Sequence, residues 1–246
     1  MTTNLSRRRF LSSVASIVAI STATAASART FSAALPWTPV SGAPPVPVSI
    51  SGWLFFTPEE ARAVEAIVDR LIPADDLSIG GKEAGCAIYL DRQLAGSYGH
   101  SSRLYTKGPF LSGLHTQGYQ GEATPNSQYR RGLAAIDAYV RTNLQAKSFA
   151  DLSTAQQDDF LKALEADKIQ LSNGVVGKVF FGLILNGAME GFFADPLYGG
   201  NKDMASWKML GFPGARYDYR DFVSRHNETY PLPPVSILGA TDWAMK

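Results

Sequence analysis

The chain has 246 residues, a formal net charge of +1, 45% hydrophobic and 18% charged residues. These are the proportions of an ordinary soluble globular protein, and the near-neutral balance excludes nucleic acid as an expected partner. A single cysteine, Cys86, cannot form a disulfide within the chain, nor hold an iron–sulfur cluster, which needs about four thiolates.

The N-terminus reads as a twin-arginine export signal: Ser6, Arg7 and Arg8, then Arg9, Phe10 and Leu11. An Ala/Ser/Thr-rich apolar stretch follows, too short and too rich in hydroxyls for a strong membrane anchor. Ala26-Ser27-Ala28 fits a signal peptidase site. Residues 1–28 are therefore expected to be a signal peptide whose removal takes away three arginines and no acid. This export route carries folded proteins and suits a chain that, itself or through something bound to it, takes up a cofactor before export. No Gly-x-Gly-x-x-Gly follows an apolar strand, no Cys-x-x-Cys-His attaches haem, and His100, His115 and His226 have no zinc-like spacing. No cofactor is expected in this chain; one is expected in a partner exported with it.

Residues 29–52, with Pro36, Pro39, Pro44, Pro45 and Pro47, read as an extended linker, and order is expected to begin near Trp53. Thr57-Pro58-Glu59-Glu60 is a capping box with proline at the first helical position. It opens a helix with Ala61, Val64, Val68 and Leu71 on one face, stopped by Pro73. A second helix is expected over 83–97 with Cys86, Leu90 and Leu94 inward, followed by a Gly/Tyr-rich loop over 98–125. Loops of that length are usually functional or pinned to something. A third helix over 126–144 buries Tyr129, Leu133, Ile136, Val140 and Leu144. Ser153-Thr154-Ala155-Gln156 opens a fourth, to Asp167, with Phe160, Leu161 and Leu164 inward. The fifth, over 173–194, is apolar nearly all round and predicts a central, fully packed helix; Lys178, Asn186 and Glu190 argue against a membrane span. No stretch alternates with a period of two, so residues 53–194 predict an all-α bundle of about five helices.

Residues 195–246 change character, with many aromatics and prolines and little periodicity. They predict an ordered wrap over the bundle and over a partner, with a short helix near 218–227. Trp207, Phe212, Tyr217 and Tyr219, around the Gly211–Gly214 turn, are the candidate interface residues.

The segments Pro73–Asp76, Glu83–Leu94, Glu190–Asn201 and Trp207–Ala215 resemble the small (gamma) subunit of membrane-bound gluconate 2-dehydrogenase, and with the export signal the resemblance spans essentially the whole chain, 53–246 forming the family's domain. The resemblance implies a heterotrimer on the periplasmic face of the inner membrane. A large FAD-containing dehydrogenase subunit oxidises D-gluconate to 2-keto-D-gluconate. A multihaem cytochrome c subunit passes electrons to quinone. The small subunit lends its signal for the twin-arginine export machinery to the flavoprotein and supports its folding. Related small subunits serve glucose, fructose, sorbitol and 2-ketogluconate dehydrogenases, and the long tail favours the gluconate type.

Three features invite sharper readings. Cys86, on an apolar helix face, is either a buried, inert thiol or an intersubunit disulfide partner. Asp221, His226 and Glu228 suggest an acid–base cluster, the basis of a rival reading as a stand-alone periplasmic enzyme, but no nucleophile or metal partner accompanies them. Gly199–Asp203 looks phosphate-friendly yet lacks the strand and Gly-Lys-Ser/Thr of a P-loop, and reads as a tight turn or an interface loop.

Overall fold

A computed structural model describes residues 46–239 except 106, 115 and 217. The export-signal residues Ser6, Arg7, Arg8, Phe10 and Leu11, the cleavage pair Ala26 and Ala28, and Tyr217 lie outside the described residues. Within them are six α-helices and no sheet, only isolated bridges such as Gly214 with Val235.

Helix α1 (Pro58–Leu71) starts as its sequence dictates. Thr57 Oγ1 accepts from the Glu60 N–H, and the Glu60 carboxylate accepts from the Thr57 N–H. Ala61, Val64, Ile67 and Val68 are buried, each large side chain worth about 1.5–3 kcal/mol on leaving water. Helix α2 (Cys86–Ala95) is shorter than the expected 83–97. Gly85, at φ 82°, is left-handed, and an added Cβ there would lie 2.6 Å from the Gly199 carbonyl oxygen. Only glycine lets the chain turn there and approach so closely. Gly96 closes the other end.

Helix α3 (Pro125–Asn143) buries Tyr129, Leu133, Ile136 and Val140. Helix α4 (Thr154–Glu165) opens with the expected Ser153/Gln156 box and buries Phe160, Leu161 and Leu164. A two-pronged ion pair, Arg70 Nε and Nη2 to Asp158 at 2.7 and 3.0 Å, ties α1 to α4. Helix α5 (Gly177–Phe193) begins later than expected, because Asn173 and Gly174 both have positive φ. It touches α1 to α4 and the short α6 (Ala205–Leu210), and packs most extensively on α2.

The central position of α5 agrees with the sequence, but its full coverage does not. Phe180, Phe181, Ile184, Ala188 and Phe192 are buried, whereas Val176, Val179 and Met189 remain exposed. Apolar character all round a helix marks what it can bury, while the neighbours decide which faces they reach. No described helix is long and apolar enough to cross a membrane.

Order also starts earlier than Trp53. The Val48 N–H donates to Leu197 O at 3.1 Å, and Ser49, Ser51 and Gly52 are held through their carbonyls by Arg92. Near 218–227 the structure has only a single 3-10 turn, Arg220–Phe222. The rest of the tail runs out from Asp195 and returns, where Ala215 N donates to Val235 O at 2.7 Å.

Candidate functional site

Adjacent residues Asp91 and Arg92 of α2 form a buried ion pair. The Asp91 carboxylate accepts from the N–H groups of Leu54, Phe55 and Phe56 at 2.8–2.9 Å. Arg92 Nη2 donates to the carbonyls of Ser49, Ser51 and Gly52, and Nε donates to Ser49 as well. Two buried charges are costly unless their hydrogen-bonding capacity is used. Here that capacity is spent on the backbone of 49–56, which becomes a strap across α2. Arg130 extends the clamp: it donates to Phe55 O, pairs with Glu60 and lies over the Phe55 ring at 4.1 Å.

The sequence reading missed this anchor, although a signal was present. Leu90 and Leu94 place the buried stripe of α2 directly beside Asp91, and an acid bordering a core stripe needs donors from somewhere.

A second polar corner sits at the end of α5. The Asp195 carboxylate accepts from Leu197 N at 2.9 Å and from Ile237 N at 2.7 Å, so one side chain joins both ends of the tail. Asn201, fully buried, donates through Nδ2 to Ala194 O and accepts at Oδ1 from Ser206 N and Oγ. The segment 199–203 is thus a tight turn built on Asn201, tied to the start of α2 by Lys202 N to Ala84 O at 3.1 Å.

The candidate interface residues divide. The Trp207 indole is buried and donates to Phe193 O at 2.9 Å, so it is committed to this chain's own fold. Phe212, edge-on to Trp207 at 5.2 Å, is exposed. Tyr219 is half-buried and packs on Tyr230. Cys86 is 0% exposed, and burial pushes its thiol up to about 12, the environment of an inert core sulfur. Asp221, His226 and Glu228 are all exposed. Burial also pushes Tyr89 up to about 12, helped by the Glu190 carboxylate it faces.

A predominantly apolar opening lies elsewhere. A groove of about 340 Å³ runs between Tyr119 and Ala123 on one side and Val175, Val176, Val179 and Leu183 on the other, with Gln128 and Arg131 at its border. No carboxylate, histidine or thiol lines it, so its donor set suits contact with another surface rather than acid–base or metal chemistry. The loop 98–124 forms one wall. Its neck is closed by Asn126 N to Gly99 O at 3.1 Å and by Asn126 Nδ2 with His100 Nδ1 at 3.1 Å. Gln117 and Tyr119 staple its interior through Leu114 N and Ala123 N.

Among the described residues no group of three or more His, Cys, Asp and Glu side chains is placed to hold a metal ion. The family model described as gluconate 2-dehydrogenase subunit 3 matches residues 58–214, more than half of the chain. Neither a curated protein nor a solved structure matches it.

Proposed function

The chain belongs to the gluconate 2-dehydrogenase subunit 3 family, and from that premise we propose that it is the non-catalytic small subunit of a periplasmic, membrane-associated, FAD-dependent gluconate 2-dehydrogenase. The family match over 58–214 carries the reading. The way the chain spends its buried polar groups supports it. Asp91, Arg92, Asp195 and Asn201 all serve backbone groups of their own chain.

In this reading the reaction belongs to the large subunit, where hydride leaves C2 of gluconate for FAD. Electrons then continue through a cytochrome c subunit to quinone. The small subunit supplies the twin-arginine signal in residues 6–11 and a folded body on which the flavoprotein matures. A signal on a chain without a recognisable cofactor motif makes sense when the cofactor travels in a bound partner.

The test is fractionation of cells carrying Arg7→Lys and Arg8→Lys together. Both this chain and the flavoprotein are expected to stay in the cytoplasm, and gluconate oxidation by whole membranes is expected to disappear. A flavoprotein that still reaches the periplasm in full would sink the export role. Flavin bound near stoichiometrically to the purified small subunit would sink the accessory reading.

A further inference from the structure

Loop 98–124 is tied at its neck and stapled through Gln117 and Tyr119, yet turns large apolar side chains outward. Tyr105 is 86% exposed and Leu111 74% exposed, with Leu104 and Leu114 similarly open. Across the groove, Val176 and Val179 of the most apolar helix are 54% and 59% exposed. Tyr119 lines this groove and also the opening beside Phe110 and Leu111 within the loop, so the two adjoin. Large exposed apolar patches of this kind mark contact sites.

Charge and shape narrow the occupant. Arg131 lines the groove, and Arg103 and Lys107 lie on the loop that walls it, against the single acid Glu122 of that loop. None of the three cations is in an ion pair among the described residues; Arg131 donates to Asn173 O at 3.2 Å. A bilayer surface also favours apolar and basic residues together, but it does not fill a concave groove, whereas protein side chains do.

We propose that the groove between loop 98–124 and the N-terminal half of α5 is the docking surface for a folded protein chain that presents an apolar ridge flanked by carboxylates. The proposal rests on the accessory-subunit reading above, with the flavoprotein as that chain, and moves the main contact from the tail to the opposite end of α5. Apolar insertion holds the complex, and the basic rim sets its orientation and its rate of assembly.

The experiment is affinity purification of the co-expressed complex through a tag on this chain, with recovered flavin as the readout. Val176→Asp is the sharpest variant. Val176 is the N-cap of α5, where Asp is a favoured capping residue, so folding is kept while a charge enters the groove. Val176→Asp and Val179→Asp are each expected to lower recovered flavin at least tenfold, without lowering the thermal midpoint of the chain. Arg131→Glu is expected to slow assembly at low salt and to have little effect at high salt. Full flavin recovery with both aspartates overturns the proposal. So does a wild-type chain that sediments with phosphatidylglycerol vesicles, when Val179→Asp abolishes sedimentation but not flavin recovery, because the surface then faces lipid. A wild-type chain that retains no flavoprotein at all overturns the accessory-subunit reading and this proposal with it.

Discussion

Where α5 meets α2 the two helices are closed to the level of single methyl groups. A Cβ added at Gly187 would lie 2.4 Å from Leu90 Cδ2 and 2.8 Å from the Tyr129 hydroxyl, and one at Gly191 would lie 3.0 Å from Tyr89 Cδ1. Elsewhere on α5 a Cβ at Gly182 would meet nothing within 4 Å, and toward loop 98–124 Val176 and Val179 stand open. The same helix therefore has one flank finished by its own chain and one left unfinished. The finished flank also holds the costly polar work: the Asp91–Arg92 anchor on α2, and the Asp195 and Asn201 corner at the end of α5. The unfinished flank has almost no polar obligation. A surface without buried polar groups to satisfy can be covered and uncovered at little desolvation cost, which suits assembly with another chain.

The comparison is broken most forcefully at the anchor. Asp91→Ala leaves Arg92 buried without its counter-charge and frees three backbone N–H groups, so a loss of about 3–5 kcal/mol is expected. Urea unfolding of the chain measures it. A loss below about 1 kcal/mol would mean that the strap is not integral to the core.

Trp207→Ala probes the tail at nearly the same scale. Because the indole is buried and bonded to Phe193 O, a loss of about 3–5 kcal/mol is expected in the chain by itself. Phe212→Ala, at an exposed position, is expected to change the same midpoint little. If Trp207→Ala instead spared the monomer and released a partner, the tail would be an interface rather than a closure.

A paired glycine substitution sharpens the contrast along α5. Gly187→Ala forces Leu90 to shift and is expected to cost about 1–3 kcal/mol. Gly182→Ala enters open space and is expected to add about 0.5–1 kcal/mol of stability through helix propensity. Opposite signs from one chemical change, read by thermal melting, would confirm that the two flanks differ.

The smallest effect concerns Cys86. Its thiol ionises near 9.0 when unfolded and only at about 12 when folded. Between those values the folded state holds the extra proton, so this contribution to stability is complete below pH 9 and is lost as pH rises toward 12. Cys86→Ala is expected to flatten the alkaline limb of the stability profile. The native thiol is expected to resist a disulfide reagent at pH 8 until the chain unfolds.

Much of the fold was readable along the chain. Thr57, Glu60, Ser153 and Gln156 cap helices through neighbours three residues away, and the stripes Val64–Val68 and Leu133–Val140 repeat with the helical period. Both signals are local, so they survive without knowledge of the rest of the molecule. The start of α2 was misplaced by three residues because the left-handed turn at Gly85 answers to the Gly199 carbonyl, more than a hundred positions away. Residues 48–52 of the strap read as linker in the sequence because the groups that hold them sit on Arg92 and Leu197. His226 stood out by residue type alone, and the structure leaves it exposed.

The amino-acid sequence by itself determined that the chain is helical, where three of its helices begin, which stripes seek burial, and which family it resembles. Each of these rests on contacts within a few residues or on long matching segments. Only the tertiary structure decided which side of the apolar α5 is closed, that Trp207 belongs to this chain's own core, and that a buried ion pair holds the entering strand of chain. Burial is a property of what the other helices reach, and hydrogen-bond satisfaction depends on groups brought together from distant positions, so neither is written in local spacing.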